Sequence, residues 1–223
     1  MRKSPPCCNS GKFPYLCTAM VRAIVFDLGG VLIDLDQSRC IQAFIEVLGY
    51  EKIVELLDPY HQKGIYGDLE AGVISADEFR SAVLRESRPG CVPADVDRCM
   101  AAFLTGMDPA KVKVLERLSQ RYPLYCLTNN NEISMARSHE IFEENGLDWR
   151  QVFRKEFVSS RMKIMKPARE IFDAAAAEIG FQPEEILFVD DSMANVEEAR
   201  KAGWQAVHYP VDTDLGACVE KCL

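Results

Sequence analysis

An α/β fold, a doubly wound parallel sheet with a small all-helical cap inserted after its first strand, is what the sequence predicts, on three observations. Short apolar runs at residues 21–26, 124–127 and 186–189 stop at Asp27, Thr128 and the Asp190-Asp191 pair. Continuous apolar runs of this length suit strands buried on both faces, the condition of a parallel sheet covered by helices. Through residues 110–210 strand-like and helix-like patterns alternate, which implies βαβ units. Residues 37–106 break the alternation and carry helical patterns only.

In chain order, residues 1–19 stand outside the pattern. They hold Pro5, Pro6 and Pro14 with Cys7, Cys8 and Cys17 and lack the apolar stretch of a secretion signal. They are expected to form a flexible leader, with the folded part beginning near Met20. Residues 20–36 and 107–223 form the expected core, and residues 37–106 the cap. Within the cap, Ile41, Phe44, Ile45 and Leu48 mark one helix, stopped at Gly49, and Ile53, Leu56 and Leu57 mark the next. Ser75-Ala76-Asp77-Glu78 is a capping-box sequence ahead of Phe79, Val83 and Leu84. Val96, Cys99, Met100 and Phe103 mark a fourth helix. Residues 60–72, with Tyr60, His61, Tyr66, Glu70 and several glycines, read as a loop between helices.

In the core, Asp108-Pro109 supplies an N-cap and an N1 proline to a helix striped by Val112, Leu115 and Leu118. A second helix after Pro167 carries Ile171, Phe172, Ala175 and Ile179 and stops at Gly180; a third carries Val196, Ala199 and Ala202 and stops at Gly203. Residues 157–158 and 206–209 are weaker strand candidates. The core is thus expected to be Rossmann-like.

Bulk properties narrow the function. A chain of 223 residues has room for one core and a small accessory unit. Its formal net charge is −8, from 34 acids against 26 bases, so neither nucleic acid nor a polyanionic membrane surface is an expected partner. No apolar run approaches the roughly 18 residues of a membrane span. The nine cysteines form no Cys-x-x-Cys pair and lie far from the three histidines, which disfavours structural zinc. Their odd number, without a secretion signal, suits reduced thiols in a cytoplasmic protein. A monomer or weak dimer is expected.

The strand ends carry the chemistry. Ligands of open α/β sheets bind outside the carboxyl ends of the strands, so Asp27, Thr128, Asp190 and Asp191 should converge. Gathered carboxylates repel one another unless a cation or a raised pKa relieves them, and hard oxygen donors beside a phosphate suit Mg²⁺. Taken singly, Thr128 also fits an N-cap, Lys166 a solvated side chain, and Asp190-Asp191 an ordinary helix start.

Taken together they do not. Phe26-Asp27-Leu28-Gly29-Gly30-Val31-Leu32, Leu127-Thr128-Asn129, Lys166-Pro167, and Leu187-Phe188-Val189-Asp190-Asp191-Ser192 with Asn195 resemble, in order and spacing, the four motifs of the haloacid dehalogenase superfamily. The resemblance spans residues 21–210, with a cap-sized gap between the first two motifs. It implies a phosphatase that forms an aspartyl-phosphate on Asp27 and requires Mg²⁺, held by Asp27, the Gly29 carbonyl, Asp191 and the adjacent Asp190. Thr128 and the Asn129 amide, at a helix N-terminus, would hold the phosphoryl group, and Lys166 would neutralise its charge.

One position departs from the family pattern. Where most phosphatases of the superfamily carry a second aspartate as general acid and base, this chain has Gly29. Such help is typically worth about 10²–10⁴-fold. The Asp-x-Gly motif, with Asp34 and Asp36 following, is similar to a branch that includes α-glucose-1-phosphate phosphatases, although both aspartates also fit a solvated loop. A small phosphorylated metabolite, such as a sugar phosphate, is the expected substrate, with His61, Tyr66 and Glu70 of the cap as candidates to contact it. The alternatives are a phosphate-binding module that has lost catalysis, suggested by Gly29, and a metal-independent 2-haloacid dehalogenase.

Overall fold

The computed structural model describes residues 20–57, 63–211 and 213–223. The expected leader, Tyr60 and His61 therefore lie outside the described residues.

The chain opens with β1 (Ala23–Phe26) and a short β2 (Asp34–Leu35), then the cap helices α1 (Gln37–Ala43), α2 (Ile53–Leu56), α3 (Gly64–Glu70), α4 (Ala76–Leu84) and α5 (Pro93–Ala101). A π-helical stretch, Phe44–Leu48, continues α1 to Gly49. β3 (Leu104–Gly106) leads back to the core, where α6 (Pro109–Ser119), β4 (Leu124–Thr128), α7 (Glu132–Glu144), α8 (Trp149–Val152) and β5 (Phe153–Val158) follow. The remainder is α9 (Ser159–Met162), α10 (Arg169–Ile179), β6 (Ile186–Asp190), α11 (Met193–Lys201), β7 (Gln205–His208) and α12 (Leu215–Glu220).

Five parallel strands form one sheet in the order β5-β4-β1-β6-β7. Alternation along β1 explains its unbroken apolar run: Ile24 and Phe26 enter one core, Ala23 and Val25 the other. The first core is closed by Val114, Leu115 and Leu118 of α6, Ile141 and Phe142 of α7, and Leu215 and Val219 of α12. The second is closed by Ile171, Phe172, Ala175 and Ile179 of α10 and by Ala199 of α11. The sheet is doubly wound, and the chain leaves β1 for β4 on one side and returns to β6 on the other.

The cap has a third core of its own, built from Cys40, Phe44, Leu48, Tyr66, Leu69, Phe79, Val83, Val96 and Met100, with Ile133 of α7 inserted from below. Burying each of the larger side chains is worth about 1.5–3 kcal/mol. The Ser75 capping box forms as its sequence predicts, Ser75 Oγ accepting from Glu78 N and the Glu78 carboxylate from Ser75 N.

Two expectations for residues 37–106 need correction. The segment is not purely helical, because β3 pairs antiparallel with β2 at the stem of the cap; strands this short show no alternation to read. Residues 60–72 are not simply a loop, since α3 occupies part of them. Gly64 and Gly67 weaken the helical signal, and burial of Tyr66 and Leu69, three residues apart on one face, overrides it. Asp34 and Asp36 act locally: Asp34 pairs with the buried Lys111 at 2.8 Å, and Asp36 caps α1.

Candidate active site

Register brings the acidic residues together. Phe26 pairs with Val189, and the Asp27 amide donates to the Val189 carbonyl at 2.9 Å, so Asp27 stands level with Asp190 on the neighbouring strand. On the other side Phe26 pairs with Cys126, which puts Thr128, buried at the end of β4, one residue beyond that level. Lys166 enters from the loop before α10. Its ammonium lies 2.9 Å from Asp27 Oδ1 and 2.7 Å from Asp190 Oδ2, with only 4% of the residue exposed.

Desolvation by burial pushes the Asp27 carboxyl up to about 7, Lys166 opposes the rise, and the charges of Asp190 and Asp191 add to it. Burial disfavours the Lys166 cation, yet Asp190 and Asp27 more than reverse this and hold it protonated. Asp191 is raised by burial and then by Asp190. Each of Asp27, Asp190 and Asp191 offers a carboxylate oxygen within 4.8 Å of the others, so the site carries more negative charge than one lysine neutralises. A hard divalent cation fits this donor set.

The neighbouring aspartates differ in their freedom to bind it. Asp190 is fully buried and committed: its Oδ1 accepts from the Ser192 amide at 2.8 Å and Asn195 Nδ2 at 3.0 Å, and its Oδ2 from Lys166. Asp191 is partly open, and its carboxylate occupies the space left by Gly30. That glycine has φ +76°, and a Cβ on it would overlap Asp191 Oδ2. Gly29 stands in the turn between Asp27 and Gly30, bridged to Ile33.

Asn129 is placed differently from the expectation that set it at a helix N-terminus. α7 begins at Glu132 and is capped by Asn131, whose side chain accepts from the Ile133 and Ser134 amides. The Asn129 side chain instead clasps the backbone of Lys166, donating to its carbonyl and accepting from its amide, both at 2.8 Å. The run Asn129-Asn130-Asn131 was the available sequence signal for this polar work, but its division of labour is a tertiary property.

Of the cap candidates, Tyr66 lies within the cap core, its ring edge-on to Phe79 and its hydroxyl bonded to Ser134. Glu70, at the end of α3, is half-buried and close enough to Asp27 to feel its charge. Burial and then that charge push its carboxyl up to about 8. Ser159, which no sequence pattern singled out, secures this corner. Its hydroxyl lies 2.6 Å from the Glu70 carbonyl, and the Asn130 amide donates to it at 2.9 Å. Beside it Gly72, at φ +68°, passes so close to the Ser160 backbone that a Cβ would overlap the Ser160 carbonyl.

Known proteins share this arrangement. A family model described as hydrolase, haloacid dehalogenase-like hydrolase, matches residues 21–203. The chain is 35% identical over 188 residues to a D-ribitol-5-phosphate phosphatase of Bacteroides thetaiotaomicron, covering 83% of this chain and 90% of the relative. It is 27% identical over 216 residues to a sesquiterpene phosphatase of Aspergillus oryzae, with 92% and 96% covered. A HAD family enzyme of Bacteroides thetaiotaomicron, solved in complex with magnesium and inorganic phosphate, superposes with a TM-score of 0.80 at 30% identity, over 87% of this chain and 96% of that one.

Proposed function

We propose that the chain, which belongs to the haloacid dehalogenase-like hydrolases and is a phosphatase, uses magnesium and hydrolyses a small phosphorylated metabolite, a sugar or polyol phosphate, through an aspartyl-phosphate on Asp27. The observation that carries this reading is the Lys166 ammonium, seated between Asp27 and Asp190 at the sheet edge with Asp191 alongside.

An Asp27 carboxylate oxygen attacks phosphorus, and the bond to the substrate oxygen breaks. Thr128 and the Asn129 amide hold the phosphoryl oxygens, while Lys166 offsets the charge that the group and Asp27 share. Asp27, Asp191 and the Gly29 carbonyl would hold Mg²⁺, with Asp190 aligning Lys166 beside them. When bound, the ion supplies positive charge against the phosphoryl oxygens. Water then cleaves the aspartyl-phosphate and restores Asp27.

A cap over the sheet edge favours small substrates, and Glu70 and Tyr66 are the candidates to select among them, together with His61, which lies outside the described residues. The polyol phosphate of the relative supports that class. Scattered thiols suit a cytoplasmic setting, and the enzyme is proposed to work as a monomer or weak dimer. The dehalogenase alternative loses support because relatives similar along most of the chain are phosphatases.

A panel of phosphorylated metabolites, followed by phosphate release in magnesium, tests the reading. Sugar or polyol phosphates should lead the panel, and Asp27→Asn should lower turnover by on the order of 10⁴-fold or more. A preference for phosphoproteins or nucleic acid 5′-phosphates, or full activity in Asp27→Asn, would overturn it.

A further inference from the structure

An alkyl oxygen leaving phosphorus must gain a proton, because an alkoxide is a poor leaving group at neutral pH. The groups around Asp27 differ in their capacity to give one. Lys166 is held charged by two carboxylates. Asp190 is committed on both oxygens to Lys166, Asn195 and the Ser192 amide. Asp191 faces the proposed cation site, and position 29 has no side chain.

Glu70 is different. No hydrogen bond or ion pair within the described residues holds its carboxyl, and Asp27 is the charge that acts on it. Its backbone, by contrast, is fixed to the core. The Ser159 hydroxyl lies 2.6 Å from its carbonyl, Leu69 beside it is buried, and two residues on Gly72 rests against the Ser160 backbone. Val158 pairs with Thr128, so Ser159, whose hydroxyl meets the Glu70 carbonyl, stands one residue beyond Thr128 at the carboxyl edge of the sheet. A side chain without a partner among the described residues, on a backbone fixed at that edge, is what proton exchange requires.

We propose that Glu70 is the proton donor and acceptor of this phosphatase, reaching from the cap over the sheet edge to the oxygen that leaves phosphorus. The proposal rests on the aspartyl-phosphate reading above. In the first step Asp27 forms its bond to phosphorus, the bond from phosphorus to the substrate oxygen breaks, and the Glu70 acid gives its proton to that oxygen, releasing an alcohol. In the second step the Glu70 carboxylate takes a proton from water as the water oxygen bonds to phosphorus. The bond to Asp27 breaks, and orthophosphate, free Asp27 and protonated Glu70 result. Burial, the first cause of its raised pKa, favours the protonated form that the first step needs.

The test is rapid-mix kinetics on the magnesium-loaded full chain, comparing p-nitrophenyl phosphate, which leaves without help, with a polyol phosphate, which does not. With Glu70→Gln, the first step on the polyol phosphate should slow by about 10²-fold or more. On the aryl phosphate a burst of nitrophenol near one equivalent should remain. Hydroxylamine-sensitive phosphoenzyme should then accumulate above the wild-type level, because the second step lacks its base. Glu70→Asp should restore part of the polyol rate. Equal slowing of the first step for both substrates, or no excess phosphoenzyme, would overturn the role of Glu70 alone. Absence of any phosphoenzyme in wild type and variant, with Asp27→Asn still active, would instead overturn the aspartyl-phosphate reading and this proposal with it.

Discussion

At the sheet edge Asp190 accepts bonds on both oxygens, from Lys166, Asn195 and the Ser192 amide; at the rim of the cap Glu70 accepts none on its carboxylate among the described residues and is held by its backbone. Both acids interact electrostatically with Asp27, and the fold treats them in opposite ways. Strands fix the position of Asp190, and its bonds hold the carboxylate that in turn orients Lys166. A helix end and two backbone contacts fix Glu70 in place while its charge stays adjustable. Groups that must stand still during phosphoryl transfer are built into the sheet, and a group that must change protonation is brought by the cap.

The largest way to break this contrast is at the open aspartate of the floor. Asp191→Ala should lower turnover at ordinary magnesium on the order of 10³-fold, and chelation should abolish wild-type activity. Full turnover in excess chelator would remove the metal from the site. Asp190→Asn, measured by urea unfolding, should cost about 3–5 kcal/mol, because it takes one of two carboxylates from a buried lysine. A change within about 0.5 kcal/mol would mean that the floor is not held by its charges.

The cap should yield smaller effects on stability. Gly72→Ala forces a left-handed conformation on alanine and pushes a methyl group into the Ser160 carbonyl. It should cost about 1–3 kcal/mol in denaturant unfolding and reduce turnover beyond what the lost folded population explains, since it lifts Glu70 from its seat. Unchanged activity per folded molecule would detach the cap seat from catalysis. The smallest effect is a slope. The Glu70 carboxyl is raised from 4.5 to about 8 on folding, so the folded chain retains a proton that the unfolded chain releases. Stability of the metal-free protein should therefore fall as pH rises from about 4.5 to 8 and level off above, and Glu70→Gln should flatten part of that fall. Asp27, raised to about 7, and Asp191, also raised, contribute to the same fall, so an identical slope in both proteins would assign it to these aspartates and not to Glu70.

The floor was legible in the sequence and much of the cap was not, for a physical reason. Buried parallel strands need unbroken apolar runs, and the residues that follow them must lie at the carboxyl edge; Asp27, Thr128 and Asp190 could be placed there from sequence alone. Hydrogen-bond allocation within that edge could not, because both bonds of the Asn129 side chain go to Lys166, 37 residues away. In the cap, α3 was hidden by its glycines, and the stem strands β2 and β3 were too short for any period to appear. Ser159 is one serine among many until β5 ends beside Asn130. The start of α7 is also hard to read; its buried Ile133, Ser134, Met135, Ser138, Ile141 and Phe142 mix polar and apolar types, which blurs the stripe by which a helix is read.

The clasp of Asn129 on Lys166 makes this position intolerant of a carboxylate. Its nitrogen donates to the Lys166 carbonyl and its oxygen accepts from the Lys166 amide. Hydrolytic deamidation would replace that nitrogen by a carboxylate oxygen, leaving two acceptors facing each other where a donor had met an acceptor. The loop carrying the Lys166 ammonium would then be repelled from the edge it meets. An Asn129→Asp enzyme should thus lose activity before it loses its fold.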